Sequence, residues 1–159
     1  MPEPAVAPSR NSFPYPAIGA MLAMLAVAVL GALWLPRADV QVPLVVDCRL
    51  DRQPCAAALP GGGRLEVALE PRPVTTAGPI RVSVTLAGLH PDQVGVDFQG
   101  VDMNMGLHHL ALSEYGSGRF AGETTLPVCV TGKMVWQATV LVAAERKNIS
   151  VPFRFESGV

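Results

Sequence analysis

Strict alternation of apolar and polar residues in separate segments is the feature that most limits the fold of this chain. The segment Ile80–Leu86 (IRVSVTL) alternates without a fault, Leu65–Leu69 (LEVAL) does the same, and Met134–Val142 follows with a mostly apolar second face. Successive side chains of a strand point to opposite faces, so a period of two predicts strands that each bury one face. No helical periodicity competes with the strands in this part of the chain.

Weaker strand candidates fill the remainder of residues 40–159. They are Val42–Val46, Cys55–Leu59, Val94–Phe98, Leu107–Leu112, Phe120–Leu126 and Ile149–Phe155. Glycine clusters at Gly61–Gly63 and at residues 116–118 predict tight turns between strands, because glycine adopts positive φ readily. Pro152 predicts that the last strand lies at a sheet edge, because proline has no N–H to donate. Roughly seven to nine short strands predict an all-β fold, an immunoglobulin-like antiparallel β-sandwich.

The segment Ala17–Leu35 carries nineteen residues without a charge. A helix of that length spans roughly 28 Å, which matches the apolar core of a bilayer. The run is longer than the apolar region of about 7–15 residues in a cleaved signal peptide, and no small-x-small cleavage site precedes Pro36. We therefore predict a single N-terminal transmembrane helix at residues 17–35, preceded by a proline-rich, disordered cytoplasmic tail at residues 1–16.

Charge and cysteine content indicate where the β domain lies. The chain has twelve basic and thirteen acidic residues with no basic cluster, so nucleic acid is not an implied partner. Cys48 and Cys55 flank a turn-prone sequence, and in an oxidising compartment such a pair can close into a disulfide. Cys129 is then a free thiol, an alternative partner for Cys55, or a metal ligand. These features predict that residues 40–159 form an extracytoplasmic domain.

The sequence VDMNMGLHH at residues 101–109 sets two methionines and two histidines within seven positions. The methionines are two residues apart and would share a face of an extended segment, and Gly106 would let the chain turn toward a histidine. Thioether and imidazole donors together favour copper, especially Cu(I). Further along, PVCVTGKMVW adds a thiol and a third thioether. The candidate copper ligands are Met103, Met105, His108, His109, Met134 and Cys129.

The same residues also have a purely structural interpretation, in which none of them binds a metal. Methionine often fills cores, a histidine on a strand is commonly solvated, and a thiol between two valines behaves as a small hydrophobe. No general base is paired with a nucleophile at a recognisable spacing, so the chain is not predicted to be an enzyme. Two functions remain: a copper-binding or copper-transfer module, and a non-metal assembly or interaction module that docks on a membrane complex. A thiol-disulfide partner for a copper site is a third interpretation of the cysteines.

The paired methionines in FQGVDMNMGLHHLAL, the hairpin at Gly118–Gly122 and the strand at Met134–Val140 carry a family resemblance. Over residues 15–145 the chain resembles the YtkA-like and FixH-like membrane-anchored domains of bacteria. The resemblance implies one N-terminal span, an immunoglobulin-like sandwich, copper handling, and support for assembly of respiratory haem-copper oxidases. It further implies a single-pass protein of the bacterial inner membrane with its C-terminal domain in the periplasm. The expected partners are the membrane and oxidase subunits or copper carriers, with the oligomeric state left open.

Overall fold

The chain divides into two units, residues 1–36 and residues 37–159. The computed structural model describes residues 15–34, 38–75, 78–127, 132–144 and 147–158. In the described part of the first unit, helix α1 runs from Tyr15 to Trp34. Alanine, leucine and methionine favour a helix, and Pro16 lies in the first turn, where a missing N–H removes no helical hydrogen bond.

Among the described residues, no helix has both the length and the hydropathy that a membrane span requires. The predicted tail falls mostly on residues 1–14, which lie outside the described residues.

The second unit consists of eleven described strands in two sheets, more than the seven to nine predicted. The first sheet has the order β1 (Ala38–Gln41), β11 (Lys147–Ser157), β10 (Met134–Ala144), β6 (Gln93–Gly100) and β7 (Leu107–Ala111), and β2 (Val45–Arg49) also pairs with β11. The second has the order β3 (Cys55–Ala58), β4 (Arg64–Glu70), β5 (Ile80–Ala87), β9 (Arg119–Thr124) and β8 (Ser113–Gly116). All pairs are antiparallel except the parallel pairs of β1 and β2 with β11. The prediction of an all-β fold with antiparallel sheets is confirmed.

The core forms where each sheet buries one face. In β4 and β5 buried residues alternate with exposed or half-buried ones, as the sequence periodicity requires. The largest fully buried side chains of the first sheet are Trp136, Phe98, Phe153 and Phe155. The rings of Phe98 and Phe155 meet edge to face with centroids 6.2 Å apart. Burial of each such side chain stabilises the fold by roughly 1.5–3 kcal/mol, so this core is the main source of stability.

Pro152 lies in an interior strand, so the prediction that it marks a sheet edge is wrong. It pairs with Thr139 of β10 on one side. On the other side, β1 pairs with β11 as far as Ser150, and β2 resumes the pairing at Phe153. The strand pairing on that side is therefore interrupted opposite Pro152, between the end of β1 and the start of β2. Proline lacks one backbone N–H, so it interrupts the hydrogen bonds to one neighbouring strand only. The break between β1 and β2 accommodates that interruption inside the sheet.

A disulfide bond joins Cys48 of β2 to Cys55 of β3, with the two Cα atoms 5.8 Å apart. Because β2 belongs to the first sheet and β3 to the second, the bond links the two sheets covalently. The turn between the two cysteines is held by backbone hydrogen bonds from Arg52 and Gln53 to the carbonyl of Arg49.

Candidate functional site

Met103 and Met105 lie in the connection between β6 and β7, residues 101–106, which we call the site loop. Hydrogen bonds fix it to the start of β10: the N–H of Val101 donates to the carbonyl of Val135 at 2.9 Å, and the N–H of Val135 donates to Oδ2 of Asp102 at 3.3 Å. Inside the loop, the N–H of Gly106 donates to Oδ1 of Asn104 at 3.0 Å. Gly106 has a φ of 79°, a left-handed conformation that suits glycine. The loop is therefore an ordered structure tied to its neighbouring strand.

Gly100, the last residue of β6, brings Met134 against the site loop. A Cβ atom at Gly100 would overlap both the Cε methyl of Met134 and the carbonyl oxygen of Met103. Both groups therefore occupy the space that a side chain would take. Met134 is 3% exposed and belongs to the core, whereas Met103 is 43% exposed. Because Gly100 has no side chain, the buried thioether of Met134 can approach the backbone of Met103, whose own side chain is exposed.

His108 follows the loop on the inward face of β7, next to Met105. Its Nε2 is 3.0 Å from the carbonyl oxygen of Met105. A carbonyl can only accept, so Nε2 carries the proton, and the lone pair of the neutral imidazole is on Nδ1. The His108 ring also meets Trp136 with centroids 6.3 Å apart at 66°. Met105 is half-buried and packs against the core. The hydrogen bond to the Met105 carbonyl and the contact with Trp136 together fix the orientation of the His108 ring.

His109 points to the opposite face of β7, because adjacent residues of a strand alternate. Its Nδ1 lies 2.6 Å from Oδ1 of Asp97, on the neighbouring strand β6. The ring lies over Gly95, where a Cβ would approach the ring carbon Cε1 to 2.9 Å. The structure therefore separates the two histidines that the sequence could not tell apart.

Of the six candidate ligands, four lie at one end of the first sheet, near the start of β10. They are Met103, Met105, His108 and Met134. His109 lies on the opposite face of β7, and Cys129 lies outside the described residues. In the described part of the chain, no three side chains of His, Cys, Asp or Glu gather in a way that could hold a metal ion. Thioether donors, such as those of Met103 and Met105, suit a soft ion such as Cu(I) and not Ca²⁺ or Mg²⁺.

Sequence reasoning missed three residues that shape this end of the sheet: Gly100, Asp102 and Trp136. Trp136 was recognised as a strand residue, but its contact with His108 joins β10 to β7 across β6. Trp136 is itself held by a buried hydrogen bond from Nε1 to Oγ of Ser157, at 3.1 Å. Asp102 stands directly before the methionine pair, and a short acidic side chain beside a turn commonly accepts a backbone N–H. That signal was present in the sequence and could have been used.

Three exposed apolar side chains lie in and directly after the site loop. Val101, Met103 and Leu107 are all at least 41% exposed. Elsewhere in the described β domain, the large exposed hydrophobic residues are Val46 and Tyr115. Single exposed apolar residues are common, but a concentration beside one loop is typical of a contact surface.

Comparison with known proteins provides no family assignment for the chain. No protein-family profile matches it, and no curated protein is significantly similar to it. Among solved structures, the chain is similar to part of an engineered protein whose crystal structure was determined at 1.98 Å, with a TM-score of 0.44 and 14% sequence identity. That match covers 67% of this chain and 20% of the engineered chain, so the chain spans about a fifth of the protein it matches.

Proposed function

We propose that the chain is a membrane-anchored periplasmic module that binds or transfers copper as Cu(I). The observation that carries the proposal is the ordered site loop, which presents Met103 and Met105 beside His108 and the buried Met134. The module acts as a carrier and not as a catalyst. Its immunoglobulin-like sandwich supports the site, and its biological task is assembly of a respiratory haem-copper oxidase, as the family resemblance implies.

The donor chemistry supports copper over other ions. Three thioethers and one imidazole form a soft, neutral donor set, and such sets select Cu(I) over Zn²⁺ or hard cations. His108 supports a ligand role through Nδ1, because its Nε2–H already donates to the carbonyl of Met105. Ligating histidines commonly donate their second ring N–H to a carbonyl or carboxylate, which fixes the ring orientation. Met103 is the exposed donor, so copper would arrive and leave on its side.

Membrane attachment is part of the same proposal. The uncharged run at residues 17–35 supports it, because nineteen residues in a helix would extend roughly 28 Å. The disulfide between Cys48 and Cys55 supports an oxidising compartment, here the periplasm. Oxidase subunits or other copper carriers are the partners that the resemblance implies.

Anaerobic titration of the full chain with Cu(I), in mild detergent and against a competing chelator, tests the proposal. We expect one Cu(I) per chain. Replacing Met103 and Met105 together by leucine preserves apolar volume, so stability should change by less than about 1.5 kcal/mol. Affinity should fall by about tenfold or more, equivalent to about 1.4 kcal/mol. The same double change at Met21 and Met24 of α1 is the matched control and should leave affinity unchanged.

The two histidines provide an internal comparison. His108→Asn should weaken Cu(I) binding, whereas His109→Asn should not, because His109 lies on the other face of β7 and is engaged by Asp97. A double leucine variant that binds Cu(I) as tightly as the parent, or equal effects of the two asparagine variants, would contradict the proposed site.

The exposed apolar residues beside the site loop favour a second candidate function, an assembly module that docks on a membrane complex without binding metal. In that case Val101 and Leu107 would contact the partner, and the methionines would be packing residues. The Cu(I) titration separates the two functions, since only the first requires a stoichiometric metal.

A further inference from the structure

The outward face of the first sheet holds a groove that the proposed copper site does not use. The groove has a volume of about 380 Å³ and crosses from β7 to β1. Gly95, Leu141 and Ser150 are register partners on neighbouring strands and form one row of its floor. Gly95 has no side chain and Ser150 has a short one, so the face of the sheet is lower there than at the longer side chains around them. The volume lies in the usual range for small-molecule sites.

One end of the groove is formed by His109. Asp97 accepts a hydrogen bond from Nδ1, so the Nε2 of the neutral imidazole is a hydrogen-bond acceptor. The ring can lie against β6 only because Gly95 has no side chain: an added Cβ would come within 2.9 Å of Cε1 and 3.4 Å of Nε2. The carboxylate and the glycine together hold one imidazole in a defined orientation at this end.

The opposite end is formed by Asp39 of β1. Its Oδ1 accepts a hydrogen bond from Nδ2 of Asn148 at 2.9 Å, which orients the carboxylate. The two residues are register partners across β1 and β11, and both line the groove. Asp39 is exposed, so a ligand can reach the carboxylate from solvent.

The groove has the carboxylate of Asp39 at one end and the Nε2 acceptor of His109 at the other, where the Asp97 carboxylate lies behind the ring, with a mostly apolar floor between them. Among the described residues that line it, none is lysine or arginine. Between the ends, Leu141 and Ala143 contribute apolar surface. The His109 ring lies over β6, three strands from β1, which at about 4.8 Å per strand and with the offset along the strands places the ends on the order of 15 Å apart.

We propose that this groove binds an elongated organic cation, a molecule with an apolar chain and a protonated amine at each end. One ammonium group pairs with Asp39, and the other donates to Nε2 of His109 near the carboxylate of Asp97. The methylene chain covers Leu141 and Ala143. Charge-assisted hydrogen bonds at the two ends provide orientation, and the apolar floor provides contact area.

Calorimetric titration of the full chain in detergent with 1,10-diaminodecane, 1,10-decanediol and decanedioic acid tests the proposal, because the three probes share a ten-carbon backbone and differ mainly at the ends. We expect the diamine to bind and the diol to bind about tenfold more weakly or worse, since its ends are uncharged. The dicarboxylate should not bind, because its charge repels Asp39. Diol or dicarboxylate binding as tight as that of the diamine would overturn the proposal, as would no diamine binding at all.

Two variants locate the binding. Asp39→Asn retains an acceptor for Asn148 but removes the charge, and should weaken diamine binding by about fivefold or more while leaving diol binding unchanged. Asp47→Asn in β2 removes an exposed carboxylate outside the groove and is the matched control. Gly95→Ala should displace the His109 ring and weaken binding independently of Asp39. Equal losses in the two asparagine variants would show that the diamine responds only to net charge, which contradicts the groove.

Discussion

Gly100→Ala tests most directly whether the packing beneath the site loop is as tight as the structure indicates. The new methyl group would overlap two groups, the methyl end of Met134 and the carbonyl oxygen of Met103. The first is the end of a flexible side chain and can move. The second is backbone in a loop that Asp102 and Val101 tie to β10, so it can move only if those hydrogen bonds are disturbed.

The magnitude follows from these two contacts. Forcing an extra carbon into a packed region destabilises a protein by roughly 1–3 kcal/mol. Replacing glycine by alanine also restricts the unfolded chain, which stabilises by about 0.4–1 kcal/mol where the backbone permits a side chain. Gly78→Ala is the matched control, because nothing lies within 4 Å of its added Cβ and it lacks positive φ. We therefore expect Gly100→Ala to be less stable than Gly78→Ala by about 1–3 kcal/mol.

Urea unfolding followed by tryptophan fluorescence, to which the buried Trp136 contributes, measures this difference. If the site loop carries the copper site, Gly100→Ala should also weaken Cu(I) binding, because Met103 is displaced together with its carbonyl. In a Met134→Ala background, Gly100→Ala should still lower stability relative to Met134→Ala alone, since the overlap with the Met103 carbonyl remains. Equal stability of the two glycine variants would refute the packing argument. Equal stability of the double variant and Met134→Ala would show that only the side chain of Met134 is in the way.

Three further outcomes are expected. Ser157→Ala leaves the buried Nε1–H of Trp136 without its acceptor and should destabilise the domain by about 1–3 kcal/mol, measured by urea unfolding against Ser157→Thr, which keeps a hydroxyl. Reduction of the bond between Cys48 and Cys55 should lower stability by about 2–3 kcal/mol, given the short loop it closes, and unfolding with and without reductant measures the loss. Mass spectrometry of the mature protein should find residues 17–35 still attached, whereas an N-terminus between residues 32 and 42 would contradict the anchor.

The candidate site was predictable only in part. Met103, Met105 and the two histidines are neighbours in sequence, so their clustering was visible, and the choice of copper follows from their chemistry. The sequence could not decide between His108 and His109. That choice depends on which face of β7 points inward, and the strand register with β6 sets it. The contact of Met134 with the site loop likewise depends on the pairing of β6 and β10, which places Gly100 opposite Trp136.

The sequence by itself determined the all-β fold, because an alternation of period two forces one face of each strand into a core, and Ile80–Leu86 and Leu65–Leu69 are buried as that rule requires. Such patterns are local and need no knowledge of neighbouring strands. Strand order is not local. The structure alone decided that β11 is interior, that the break between β1 and β2 accommodates Pro152, and that the groove under His109 exists. Each of these features depends on residues that are distant in sequence and meet across a sheet. Many different orders of the same strands would bury their apolar faces equally well, so the alternating pattern does not specify which strands are neighbours.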